Sequence, residues 1–164
     1  MSAYLGSASI SKLYLGNTPI SKLYLGTTVL WQSFPQMGID KVGSQTISIS
    51  SWTTITGRTI RSGYPDTVIT SNGILIPAGV TVTLACQNTH GGSHADNAAR
   101  LYNATTSAVI ATSTAATTAT PAVSESYTPS VDSVIVVQGF ATSTLSSRDT
   151  ISAGAGTFLT AIPS

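Results

Sequence analysis

The chain has 164 residues, a net charge of +1 and charged side chains at only 8% of positions, against about 25% in an ordinary soluble domain. With 41% hydrophobic residues, it is long enough to bury one core without metal or disulfide staples and too apolar to be disordered. Seven scattered Lys and Arg make no basic patch for nucleic acid, no apolar run approaches the ~20 residues of a membrane-inserted helix, and a lone Cys86 excludes an intrachain disulfide framework.

Ser and Thr occupy about 50 positions. A surface of hydroxyls and small residues suits a virion or extracellular β-protein better than a cytosolic enzyme. The opening Met1-Ser2-Ala3-Tyr4-Leu5-Gly6 lacks the basic start and apolar block of a signal peptide. Synthesis in a cytoplasm is therefore expected.

The first elements repeat with a period of ten. Tyr4-Leu5-Gly6 recurs as Tyr14-Leu15-Gly16 and Tyr24-Leu25-Gly26, and Ile10-Ser11-Lys12-Leu13 as Ile20-Ser21-Lys22-Leu23. The series decays into Leu30-Trp31-Gln32-Ser33. Each unit reads as a six-residue strand, Ile-Ser-Lys-Leu-Tyr-Leu, followed by a Gly-led turn, so residues 1–33 are expected to form a β-meander. Alternation puts Leu13, Leu15, Leu23 and Leu25 on one face and Ile10, Tyr14, Ile20 and Tyr24 on the other. Both faces are apolar, and three strands alone cover neither. The partner is either the chain's own body or other chains; a self-sufficient body downstream favours other chains.

Phe34-Pro35-Gln36-Met37-Gly38 breaks the pattern and reads as a linker over 34–38. The body, 39–164, alternates short strands and turns. Thr46–Ser50 has period two, Thr53–Arg61 is β-branched, and Ser71-Asn72-Gly73 is a turn signal between Thr67-Val68-Ile69 and Ile74-Leu75-Ile76. Val80, Val82, Leu84 and Cys86 share one apolar, inward face, with Thr81 and Thr83 outward. Asp96–Leu101 fits one helical turn. Arg100-Leu101-Tyr102 and Ala108-Val109-Ile110 flank a hairpin turn, and the Ala-, Thr- and Ser-rich region 104–120 reads as a strand anchored by Val109 and Ile110 plus a long loop, with a disordered linker as the alternative. Val131–Val137 is apolar on both faces, as in a central strand, and Thr157–Ile162 closes the chain. About eight strands in ~125 residues give an all-β fold: the N-terminal meander arm, then a jelly-roll-like β-sandwich.

Chemistry-bearing residues are sparse. His90, His94 and Asp96 share one loop and are the candidate metal ligands. Gly91 and Gly92 leave their geometry unfixed, so a polar loop is the simpler reading, and neither metal nor cofactor is expected. Ser, His and Asp are all present without a Gly-x-Ser-x-Gly elbow. Glu125 is the only Glu, so no carboxylate pair for glycosidic hydrolysis stands out. Cys86 reads as a core residue. The expectation is a non-enzyme. Trp31 and Trp52 serve either as sugar-stacking platforms or as structural plugs, Trp31 on the meander and Trp52 in the sandwich core. Asn103-Ala104-Thr105 is a glycosylation sequon, without weight in the absence of a secretory signal.

The repeated Ile-Ser-Lys-Leu-Tyr-Leu-Gly, closing on Val29-Leu30-Trp31-Gln32, resembles a segment of structural proteins of phages infecting actinobacteria. There, copies of a Lys-x-Tyr-Leu-Gly unit ending on an aliphatic-Trp pair occur in minor tail proteins. Gly73–Gly79 and Gly156–Ala161 look like the sandwich modules of such proteins, and like trimeric C1q- or TNF-type jelly rolls. The chain has no collagen-like stretch and no coiled coil. The resemblance implies a virion location and a minor tail or tail-tip role as a homotrimer. Other virion proteins would be its partners, contacted through Tyr4, Leu5, Ile10, Leu13, Tyr14, Leu15, Ile20, Leu23, Tyr24, Leu25, Leu30 and Trp31. Capsid decoration, or a carbohydrate-binding module for the host envelope using Trp52 or the tyrosines, are the alternatives.

Overall fold

A computed structural model of the chain describes residues 4–5, 8–9, 13–20, 22–25, 28–91, 96–142 and 148–164. The described residues are all-β, with no helix. They divide into two compact units, Met1–Pro35 and Gln36–Ser164.

In the first unit the strands pair within each repeat. β1 (Tyr4–Leu5) pairs with β2 (Ala8–Ser9), β3 (Leu13–Leu15) with β4 (Thr18–Ile20), and β5 (Lys22–Leu25) with β6 (Thr28–Gln32), all antiparallel. The unit of ten is thus a hairpin of two short strands, where the sequence predicted one six-residue strand. Gly16, with a φ of 63°, takes the first central position of a two-residue turn, as a type II′ turn requires. That turn sends Thr18–Ile20 straight back onto Leu13–Leu15. The expected strand Ile20–Leu25 is therefore divided between two hairpins. It also moves Ile20: it lies directly opposite Leu13, so it shares the leucine face and not the tyrosine face. In the third hairpin the register shifts between Leu23 and Tyr24, which leaves Leu30 as the extra residue of a bulge.

The second unit is a two-sheet sandwich. It comprises β7 (Met37–Lys41), β8 (Gln45–Ser48), β9 (Thr53–Thr54), β10 (Arg58–Ile60), β11 (Ile69–Thr70), β12 (Gly73–Ile76), β13 (Val82–Gln87), β14 (Asp96–Asn103), β15 (Ala108–Thr112), β16 (Ala122–Tyr127), β17 (Ser133–Thr142), β18 (Arg148–Ile151) and β19 (Gly154–Pro163). Sheet I has the order β10-β7-β19-β13-β16, and sheet II the order β11-β12-β17-β14-β15, with β9 also on β17. The main antiparallel pairs nest: β7 with β19, β12 with β17, β13 with β16, β14 with β15. That nesting is the jelly-roll topology. β8 and β18 form a separate two-stranded ribbon.

Alternation builds the core. Ile39, Val82, Leu84, Cys86, Leu159 and Ala161 point inward from sheet I, and Ile74, Ile76, Leu101, Ile135 and Val137 from sheet II; all are buried. β17 is a central strand as expected, with Val136 on its other face also buried. Ser71 and Asn72 both have positive φ (49° and 65°), the signature of a type I′ hairpin turn between β11 and β12. Gly73 follows because a Cβ there would meet the Ile135 carbonyl oxygen at 2.2 Å.

Two expectations fail in the body. Asp96–Leu101 is the first part of β14 and not a helical turn; pairing with β17 on one side and β15 on the other overrides local propensity. Met37 and Gly38 belong to β7 and not to a linker, so the body starts before Ile39. Gly38 reads as a breaker in sequence, yet the strand needs it, since a Cβ would lie 2.8 Å from the Tyr64 ring.

Candidate functional site

The outward face of sheet II gathers three of the body's six aromatic residues, Trp52, Tyr102 and Phe140, around one cation. On β17 the outward residues include Val136, Gln138 and Phe140, and the register sets Tyr102, Arg100 and Ala98 of β14 opposite them in turn. Arg100 donates from Nε to Gln138 Oε1 at 2.7 Å. Gln138 donates from Nε2 to Thr54 Oγ1 at 3.1 Å across the other edge of β17. The guanidinium lies 4.3 Å from the Trp52 ring centroid and 5.3 Å from that of Tyr102. Trp52 in turn meets Phe140 at 5.1 Å and 32° between planes. Partial burial lowers the Arg100 pKa, with Tyr102 acting the other way, and the group stays a cation. Trp52 therefore does not plug the core: it sits half-buried on the outside, just before β9. Sequence reasoning kept Trp52 as a platform candidate but missed Arg100, Gln138 and Phe140. Period-two alternation of β14 against β17 is the signal that groups them.

The outward face of sheet I is electrically closed. Asp40 forms an ion pair with Arg61, which also donates from Nη1 to the Ala155 carbonyl at 3.0 Å. The same guanidinium lies 4.5 Å over Phe158. Beyond this cluster the face is small and hydroxylated, with Thr83, Ser124 and Ser126 exposed beside Ile162.

The loop candidates for metal are not assembled among the described residues. His90 is buried, and its Nδ1 lies 2.5 Å from Asp149 Oδ2, with side-chain exposures of 0% and 1%. Asp149 Oδ1 accepts from the Thr150 amide at 2.6 Å. Asp96 is exposed and accepts from Thr142 Oγ1 at 3.4 Å, and His94 lies outside the described residues. Among the described residues no group of three His, Cys, Asp or Glu side chains is placed to hold a metal. Sequence reasoning missed Asp149 as the partner of His90, because the two are joined only when β18 folds back beside Thr89–Gly91.

Cys86 is buried, and its thiol is pushed up to about 12 by burial, with the Arg58 guanidinium opposing. Arg58 is itself lowered to about 10 by burial, with Cys86 and Asp40 opposing. Its Nε and both Nη atoms are buried with no hydrogen-bond partner among the described residues. Asn103, the sequon residue, is buried too. Its amide donates to Tyr127 Oη and Ser133 Oγ at 2.8 and 2.9 Å, and its carbonyl accepts from the Thr105 and Thr106 amides.

In the N-terminal unit, Leu15, Leu25, Tyr14 and Leu23 are exposed at 78%, 70%, 57% and 41%. Leu13 and Ile20 are half-buried. Ile10 lies outside the described residues, as do the side chains of Tyr4, Leu5, Tyr24, Leu30 and Trp31.

Compared with models of protein families and with curated proteins, the chain matches none.

Proposed function

We propose that the protein is a structural component of a bacteriophage particle, a minor tail or tail-tip protein that docks through its N-terminal repeats and displays the jelly-roll body. The observation that carries this reading is the unburied apolar surface of the repeats. Leu15 and Leu25 occupy equivalent places ten residues apart, and both are more than two-thirds exposed. Burying one such side chain stabilises a contact by ~1.5–3 kcal/mol. Four of them in one compact unit supply a docking surface for neighbouring virion proteins. The resemblance of the repeat to minor tail proteins gives the particle its identity. Capsid decoration is the second reading, since it needs the same arm and body.

A homotrimer accords with the hydroxyl-rich face of sheet I, where few charges oppose close contact between copies. A non-catalytic role accords with the placement of the nucleophile and base candidates, because Cys86 is buried in the sandwich core and His90 is buried beside β18. The test deletes residues 1–33 and follows folding and incorporation. A truncated chain that unfolds as cooperatively as the full chain but is absent from particles supports the reading. Incorporation at the normal level sinks it. Light scattering of the full chain tests the trimer: a stable monomer at micromolar concentration rejects it.

A further inference from the structure

Arg100 is the only cation on the described strands of sheet II, and the only other charged residue there is Asp96. Four residues along β14 separate them, about 13 Å of extended strand. The guanidinium is held in one orientation by the Trp52 and Tyr102 rings and by Gln138. Its two Nη groups make no hydrogen bond with the described residues, and they are not among the buried polar atoms. A planar pair of donors, fixed in place and unopposed by an acid, is complementary to a carboxylate.

The surroundings narrow the ligand further. β14 lies between β17 and β15, so its backbone is engaged on both edges and offers no place for an added peptide strand. Recognition there must run through side chains. Those side chains are the half-buried rings of Trp52, Tyr102 and Phe140 and the half-buried hydroxyl of Thr54, while Gln138 between them is buried and bonded at both amide atoms. Sugar rings present the matching pair of features: a C–H face for aromatic rings and hydroxyls for polar groups. The geometry points to the outward face of sheet II as a binding site for a carboxylate-bearing saccharide. Arg100 grips the carboxylate through its Nη pair, and the neighbouring rings meet the sugar's C–H face. This site is built from residues of the body alone, and the inference does not depend on a docking role of the repeats.

The test titrates the isotope-labelled full chain with trigalacturonate, with its uncharged methyl ester, and with a hexaglutamate peptide. The Arg100 Nε–H and Trp52 indole N–H signals report the site. Trigalacturonate moves both signals saturably, and the ester binds about tenfold more weakly or worse. Arg100→Ala removes the saturable shift, and Arg100→Lys, which keeps the charge without the planar fork, restores no more than about a tenth of the affinity. No saturable shift up to roughly 10 mM trigalacturonate overturns the proposal. So does an equal response to the ester. A stronger response to hexaglutamate assigns the face to a protein partner instead. Concentration-dependent broadening without sugar that Arg100→Ala abolishes assigns it to a second copy of this chain. If Arg100→Ala loses the native amide spectrum, the acid-against-ester comparison on the unaltered chain decides.

Discussion

Asn103 on β14 and Tyr127 on β16 join the two sheets: the amide of the first donates to the hydroxyl of the second at 2.8 Å. The same amide donates to Ser133, and its oxygen caps the turn that leads out of β14. One buried side chain thus binds sheet I, sheet II and the following turn. Asn103→Ala is expected to lower stability by roughly 2–4 kcal/mol, because several partners lose their bonds at once. Tyr127→Phe leaves the Ser133 bond in place and costs about 1 kcal/mol. Urea unfolding of the two variants checks the order.

Arg58 is a buried guanidinium with no hydrogen-bond partner among the described residues. Its pKa, lowered to about 10, records the cost of keeping it charged inside. For a base whose folded pKa is lowered, the unfolded chain holds the proton more tightly, so neutral pH is where the penalty is full and stability recovers only as pH rises past about 10. Arg58→Met removes the charge and keeps the chain length. It is expected to stabilise the body by about 1–4 kcal/mol at pH 7, read as a rise in the thermal midpoint. A fall in the midpoint shows that the charge of Arg58 is compensated within the folded chain.

Cys86 titrates in the opposite sense. Its folded pKa is raised from 9.0 to about 12, so the unfolded thiol ionises first. Its contribution is complete below pH 9 and is lost as pH rises toward 12. Comparing the unaltered chain with Cys86→Ala at pH 8 and at pH 10 should show the gap shrinking by about 1.4 kcal/mol per pH unit above 9. A constant gap argues against a buried neutral thiol.

Gly73→Ala tests the close approach of β12 and β17. The added methyl would sit 2.2 Å from the Ile135 carbonyl oxygen, and backbone cannot move aside without breaking the ladder. A loss of roughly 2–4 kcal/mol is expected, with hydrogen exchange accelerating first at Ile74–Ile76.

The exposed leucines of the repeats should separate stability from assembly. Leu15→Asp with Leu25→Asp changes two open positions and is expected to leave unfolding within about 0.5 kcal/mol per site. Incorporation into particles should fall at least tenfold, a factor worth about 1.4 kcal/mol of contact. Normal incorporation would remove the leucines from the docking surface.

The body was legible where one period governs a strand. Val82, Leu84 and Cys86 fell where alternation put them, as did Ile135, Val136 and Val137 on the two faces of β17, whereas Val80 precedes β13 half-buried and Val131 lies exposed before β17 begins. The Ser71-Asn72 turn was legible because its chemistry is local. Pairing across long stretches was not. His90 meets Asp149 and Arg100 meets Trp52 only after distant strands come together. Gly38 misled because a glycine that makes room for a ring looks, in sequence, like one that breaks a strand. In the repeats the period was plain, but a ten-residue spacing fits one strand with a loop or two strands with a tight turn equally well. The positive φ at Gly16 selects the second.

The nested pairing has a consequence for how the chain is made. Ile39 stands opposite Leu159, about 120 residues later, so the first strand of the body waits for the last before sheet I has its centre. A ribosome must release nearly the whole chain before β7 and β13 gain the strand that lies between them. The repeats, by contrast, close their hairpins within ten residues and can form on a nascent chain whose body is still open. A chain stopped short of β19 would carry closed hairpins and a sandwich whose sheet I lacks its central strand.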